Sequence, residues 1–180
     1  MIRGIICFFA AFISIGCSAT AEVAPYEVFQ FNIPAGKYQF GAPEATSRLL
    51  SGKTVHGRVK LDECRVGEAF GAGFRFQFTS DDEKSGSNFG FSCVPALEQK
   101  LYSARSYGEG MPTHDAKEIN AGVPSDWLLF SMQISGDEFI TAFGGNIYRA
   151  QIPNHWAEAH FYAYCAYGIV EFYDPAANIS

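Results

Sequence analysis

Trp127 to Asp174 runs WLLFSMQISGDEFITAFGGNIYRAQIPNHWAEAHFYAYCAYGIVEFYD. Four stretches in it alternate apolar and polar residues. Leu129, Phe130, Met132 and Ile134 lead to Gly136-Asp137, and Phe139, Ile140 and Phe143 lead to Gly144-Gly145-Asn146. Tyr148 and Ile152 follow, and then Phe161, Tyr162, Tyr164 and Tyr167 run up to Gly168. In a strand, successive side chains point to opposite faces, so a period of two marks a half-buried strand. Short, regular spacing of turn residues between such runs is the pattern of an all-β sandwich.

The same reading extends upstream. Phe29, Phe31 and Ile33 alternate with polar or smaller residues over Glu27 to Ile33, and Pro34-Ala35-Gly36 closes that run. Val55, Gly57, Val59 and Leu61 alternate with His56, Arg58 and Lys60, so one face of this strand meets water. Phe74, Phe76 and Phe78 take one face of Gly71 to Phe78, and Gly73, Arg75 and Gln77 the other. Asp81 to Gly86 is a polar turn. Asn88 to Val94 and Lys100 to Arg105 read as two further short strands. Tyr107 to Ser125 is rich in Gly, Pro and charge and reads as a long loop or irregular edge. No stretch has helical periodicity, and His155 to His160 reads as a single turn at most. Ten or eleven strands are expected, in two stacked antiparallel sheets. With 17 Phe, 9 Tyr and 2 Trp, the layer between them is expected to be aromatic. Each buried ring contributes on the order of 1.5–3 kcal/mol.

The first 21 residues read as a signal peptide. Arg3 is the positive n-region, Ile5 to Ile15 the apolar core, and Ala19-Thr20-Ala21 a small-x-small cleavage site. The apolar run is too short to span a bilayer, so no transmembrane segment is expected. A lipid-attachment reading at Cys17 has Ser14 where a large aliphatic residue is usual. Residues 22–180 then form a single secreted, extracellular domain. Losing Arg3 takes the formal charge from −6 to −7. That balance argues against nucleic acid and anionic membranes as partners. Cys64, Cys93 and Cys165 remain, so one disulfide is expected in an oxidising compartment and all three pairings stay open.

The order of segments resembles a galectin. Val55 to Leu61 stands where galectins carry an early G-x-V strand, and Phe74 to Phe78 resembles the strand that follows. Phe130 to Phe139, Asn146 to His155 and Tyr164 to Phe172 match the late segments, so the resemblance runs from about Thr54 to Asp174. It implies a two-sheet antiparallel β-sandwich, a jelly roll of the galectin or concanavalin kind. It implies glycans or glycoproteins as partners, no metal and no cofactor, and homodimers made by pairing sandwiches edge to edge.

Residue by residue, the family's galactose site is mostly replaced. Its H-x-N-P-R motif falls on Ser92-Cys93-Val94-Pro95-Ala96, and an Asn of the next strand falls on Ser103 or Ala104. Its W-G-x-E-x-R motif falls on Pro112 to Lys117, where Asp115 and Lys117 keep the acid and the base but no Trp remains. Charge-assisted or directional bonds of that kind are worth roughly 1.5–3 kcal/mol each. Their loss implies an altered site, and Ser92, Tyr102, Arg105, Tyr107, Asp115 and Lys117 are its candidate carbohydrate contacts. Glu109 and His114 lie in the same loop region.

Other constellations carry less chemistry. His155, Glu158 and His160 lack the i, i+4 spacing of a helical zinc motif. Asp81, Asp82 and Glu83 are consecutive turn residues, whereas glycosidase carboxylates share a strand face. No nucleophile motif or phosphate loop occurs, so no catalytic residue and no enzyme activity is expected. The alternative to a lectin is a sandwich without sugar binding that acts as a protein-interaction module, for which an exposed free cysteine would be suited.

Overall fold

A computed structural model describes residues 23–65, 72–82, 84–94, 99–107, 119–121, 127–143, 146–152 and 155–174. The chain forms two six-stranded antiparallel sheets. The first has the order β1 (Glu27–Asn32), β12 (Ala166–Tyr173), β3 (Val55–Cys64), β8 (Leu128–Ser135), β9 (Glu138–Phe143) and β10 (Asn146–Gln151). The second has β2 (Tyr38–Gly41), β11 (Trp156–Tyr164), β4 (Ala72–Ser80), β5 (Gly86–Val94), β6 (Gln99–Tyr107) and β7 (Ile119–Ala121). The expected sandwich class is therefore the observed one. The outermost pairings join distant parts of the chain: Glu27 lies opposite Phe172, and Tyr38 opposite Tyr164.

The facing sides of the sheets bury a phenylalanine layer. Phe74, Phe76 and Phe78 of β4, Phe89 and Phe91 of β5, and Phe139, Phe161 and Phe172 are all essentially inaccessible. Phe161 stacks on Phe74 with centroids 5.6 Å apart, and meets Phe76 at 4.5 Å and Phe172 at 5.1 Å in edge-on contacts. Offset and edge-to-face rings match the aromatic quadrupole better than face-to-face sandwiches do. Cys64 at the end of β3 and Cys93 in β5 form a disulfide, so one covalent link joins the two sheets. Outside the first sheet, Arg58 ion-pairs with Glu171 at 2.6 Å and covers the Trp127 ring at 4.4 Å. This is the solvated face that the alternation of β3 implies.

Five differences from the sequence reading have physical causes. Twelve strands form among the described residues, more than the expected ten or eleven. The run from Phe161 to Gly168 breaks at Cys165, which takes a left-handed φ of 48° and sends β11 and β12 into different sheets. Alternation continues on both sides of this corner, and no Gly marks it. His155 to His160 does not form an isolated turn, because Trp156 onward pairs with β4 as part of β11. The stretch from Tyr107 to Ser125, expected as a loop or irregular edge, contains a short regular edge strand, β7, which pairs with β6.

The fifth difference is a helix, α1 (Pro43–Leu50). Only Ala45 and Leu49 are buried on it, too few apolar positions to show a period in eight residues. Pro at its first turn and the Glu27 carboxylate start it. Glu27 Oε1 accepts from Glu44 N at 3.2 Å, and Oε2 from Ala45 N at 2.7 Å. A strand residue thus satisfies two orphan amides and places an anion at the positive helix end. Glu27→Ala should lower stability by about 1 kcal/mol, as removal of other side-chain caps does. Urea titration of both proteins checks this, and an unchanged midpoint would show the cap to be idle.

Candidate functional site

The outer face of the second sheet takes the positions that alternate with the core ladder. Phe74, Phe76 and Phe78 point inward on β4, so Arg75 and Gln77 come out. Phe161 and Ala163 point inward on β11, so His160, Tyr162 and Tyr164 come out. Phe40 of β2 lies opposite Tyr162, and Tyr38 opposite Tyr164. With Gly36, Lys37 and the Cys165 corner, these residues line a hollow of about 470 Å³.

One wall is aromatic. Phe40 meets the His160 ring at 4.3 Å and Tyr38 at 5.3 Å, both edge-on. Tyr38 is 66% and Phe40 54% exposed. Two large rings side by side in water are informative, because single exposed apolar residues are ordinary and clusters are not. Burial pulls the His160 pKa below the ordinary imidazole value against a smaller opposing effect of Glu158. The ring is therefore neutral at neutral pH, able to hydrogen-bond but bringing no charge.

The floor is polar. Arg75 Nη2 donates to Ser92 Oγ at 3.0 Å, and Ser92 Oγ lies 2.8 Å from the Tyr164 hydroxyl. The guanidinium sits 5.0 Å from the Tyr164 ring centre. Burial pushes the Tyr164 phenol up, with Arg75 and Ser92 pulling the other way. Tyr162 OH donates to Gln77 Oε1 at 3.0 Å, and Gln77 Nε2 donates to Thr79 Oγ1 at 2.9 Å. Gly90 of β5 lies opposite Arg75. A Cβ there would stand 2.1 Å from the Phe74 carbonyl and 2.6 Å from Arg75 Cγ, so the bare backbone gives the arginine stem its bed.

Of the residues expected from sequence, Ser92 is bonded to two lining residues, Arg75 and Tyr164, without lining the hollow itself. Tyr102, Arg105 and Tyr107 lie in β6, where backbone register sets them opposite Phe91, Asn88 and Gly86. Their side chains lie outside the described residues, as do Glu109, His114, Asp115 and Lys117 entirely. His160 belongs to the hollow, whereas His155 and Glu158 are exposed and do not line it. Trp156 is 41% exposed and packs edge-on against Phe78, away from the hollow. Tyr38, Phe40, Arg75, Gln77 and Tyr162 had not been singled out as contacts. The usable signal was parity: Arg75 and Gln77 oppose the Phe ladder of β4, and Tyr162 and Tyr164 oppose Phe161 and Ala163. Cys165, the unpaired cysteine, is buried to 1% exposure. The exposed thiol that would have suited a protein-interaction module is therefore absent among the described residues, because the corner folds Cys165 under Gly36 N, which donates to its sulfur at 3.1 Å.

No family model and no curated protein matches this sequence. Among solved structures, the chain is similar to CG-16, a homodimeric agglutinin from chicken liver, at 10% identity and a TM-score of 0.42, covering 82% of this chain and 98% of that one. It is similar to sheep Galectin-11 in complex with glycerol at 8% identity and a TM-score of 0.39, covering 84% and 95%. It is similar to carbohydrate-binding module CBM66 from Bacillus subtilis at 12% identity and a TM-score of 0.40, covering 67% and 71%. Scytalido-glutamic peptidase, an enzyme, is similar at 12% identity and a TM-score of 0.40, covering 74% and 61%. At these scores and identities the likenesses say what the chain is similar to and carry no weight for its activity.

Proposed function

We propose that the protein is a secreted, galectin-like, non-enzymatic lectin that binds carbohydrate or glycoprotein glycans on the outer face of its second sheet, at a site displaced from the family's usual galactose motif. The observation that carries this reading is the joining, in one hollow, of exposed aromatic rings with a fixed polar floor. A saccharide has an apolar face of C–H groups and a rim of hydroxyls. Tyr38 and Phe40 offer the first a platform, and Arg75, Gln77, His160 and Tyr162 offer the second donors and acceptors. A rigid sheet holds these groups in place before the ligand arrives, which limits the ordering entropy lost on binding. Ser92 acts here by holding Arg75. The roles first given to Tyr102, Arg105, Tyr107, Asp115 and Lys117 remain part of the proposal for the far side of the same sheet.

A glycan array on the mature chain, followed by titration of the best oligosaccharide, tests this. Phe40→Ala should weaken binding at least about tenfold, or about 1.4 kcal/mol, since Phe40 is exposed and its loss leaves the core intact. An array without signal, or a Phe40→Ala protein that binds as well as the parent, would overturn the reading.

A further inference from the structure

The charges around the hollow are one-sided. Among the described residues, Lys37 and Arg75 line it and no Asp or Glu does. This occurs in a chain with 19 acidic and 13 basic residues. Other arginines of the described residues show how this protein ordinarily treats the side chain. Arg48 pairs with Glu44 and Asp174, Arg58 with Glu171, Arg65 with Glu63, and Arg149 with Glu138. Among the arginines whose side chains are described, Arg75 alone has no carboxylate partner. Its partners are the Ser92 hydroxyl and the Tyr164 ring and hydroxyl, all neutral at neutral pH. Its Nε is buried and makes no hydrogen bond.

A half-buried cation among neutral dipoles has given up water without gaining a counter-charge. An anion arriving from solvent supplies what the fold omits, and in a hollow walled by rings its attraction is less screened than in open water. Long-range attraction from the net negative protein does not draw such a ligand in; local charge does. The aromatic wall excludes a bare inorganic anion as the best fit, since Tyr38 and Phe40 would contribute nothing to it.

Resting on the carbohydrate reading above, we infer that the hollow selects an acidic saccharide, with a sugar ring against Tyr38 and Phe40 and its carboxylate or sulfate toward Arg75 and Lys37. Gly90 belongs to this device, because it gives the Arg75 stem the room it needs beside Phe74.

The test uses the mature chain and matched saccharides. Trigalacturonic acid is titrated against its methyl ester, which keeps the skeleton and removes the charge. Sialyllactose is titrated against lactose, and a sulfated disaccharide against its unsulfated parent. Short poly-glutamate serves as a polyanion without a sugar ring. At least one acidic sugar should bind about tenfold or more tightly than its neutral partner, the scale of one charge-assisted hydrogen bond. Arg75→Gln, checked for an unchanged circular dichroism spectrum, should reduce that ratio toward one, and Lys37→Ala should reduce it less. Phe40→Ala should weaken acidic and neutral partners alike.

Equal binding of acidic and neutral partners would overturn the acidic selectivity and leave the lectin reading standing. Poly-glutamate binding as tightly as the best sugar would overturn the saccharide part. An acidic preference that survives both Arg75→Gln and Lys37→Ala would overturn the assignment to this hollow. Silence with every sugar overturns both readings at once.

Discussion

Phe161→Ala is expected to cost about 3–5 kcal/mol of folding stability, the range for truncating a buried aromatic ring. Phe161 touches Phe74, Phe76 and Phe172, so it joins β4 of its own sheet to β12 of the other. Removing the ring leaves a space walled by aromatic groups. Rigid rings on two hydrogen-bonded sheets cannot collapse into that space without separating strands. The lost transfer energy and the cavity therefore add. For a domain of this size the thermal midpoint should fall on the order of 10 °C. Guanidinium titration measures the free-energy difference, with Tyr162→Phe as the neighbour facing outward. That variant loses one half-exposed hydrogen bond and should cost about 1 kcal/mol. If both substitutions cost the same, the assignment of Phe161 to the interior and Tyr162 to the hollow is wrong.

Loss of the Cys64–Cys93 bridge should cost nearly as much. The two cysteines are 29 residues apart in sequence. Closing a loop of that length in the unfolded chain removes entropy equivalent to about 3–4 kcal/mol at 25 °C. The bridge also ties β3 of one sheet to β5 of the other, the strand in which Ser92 directly precedes Cys93. A Cys64→Ser, Cys93→Ser double variant should therefore unfold at lower denaturant and still give the same circular dichroism spectrum in its absence. Thiol counting on the denatured chain of residues 22–180 should find one free cysteine, Cys165, and in its native form none that reacts quickly. Rapid labelling of the native protein, or three free thiols after denaturation, would remove the bridge and with it this source of stability.

The sandwich was legible because burying one face of a strand forces a period of two on its residues. The alternations in Val55 to Leu61, Phe74 to Phe78 and Phe130 to Ile134 each correspond to a strand with the expected inner face, whereas Leu129, which opens the last run, is exposed. Two elements escaped for opposite reasons. The strand β2 has four residues and turns its aromatics, Tyr38 and Phe40, toward solvent, so burial imposes no apolar alternation on it. The helix α1 is short and is started by a side chain 17 residues away in sequence, which no local pattern can announce. The corner at Cys165 escaped because a non-glycine residue took a left-handed conformation inside an unbroken alternating run.

The site was less legible than the fold. A resemblance in segment order directed attention to Ser92 and the chain after it. The described hollow is instead assembled from β2, β4 and β11, segments separated by dozens of residues and joined only by sheet order. Parity identifies which residues of a strand share a face, but not which strands lie side by side. That second fact comes from pairing, and no short motif carries it. Ser92, expected as a sugar contact, is hydrogen-bonded to Arg75, a residue that no motif brought forward.

The pairing of the chain's beginning with its end also sets an order of events during synthesis. Of the described strands, β1 and β2 are made first, yet the strands they pair with are β12 and β11, the last two. Both early strands must therefore wait, with unsatisfied edges, until nearly the whole chain has emerged. Contacts of such long sequence separation are slow to form and leave strand edges open to wrong partners meanwhile. A nascent chain stopped before Trp156 has ten of its twelve strands and lacks both closing ones. Closure of both sheets thus waits on one segment, Trp156 to Tyr173.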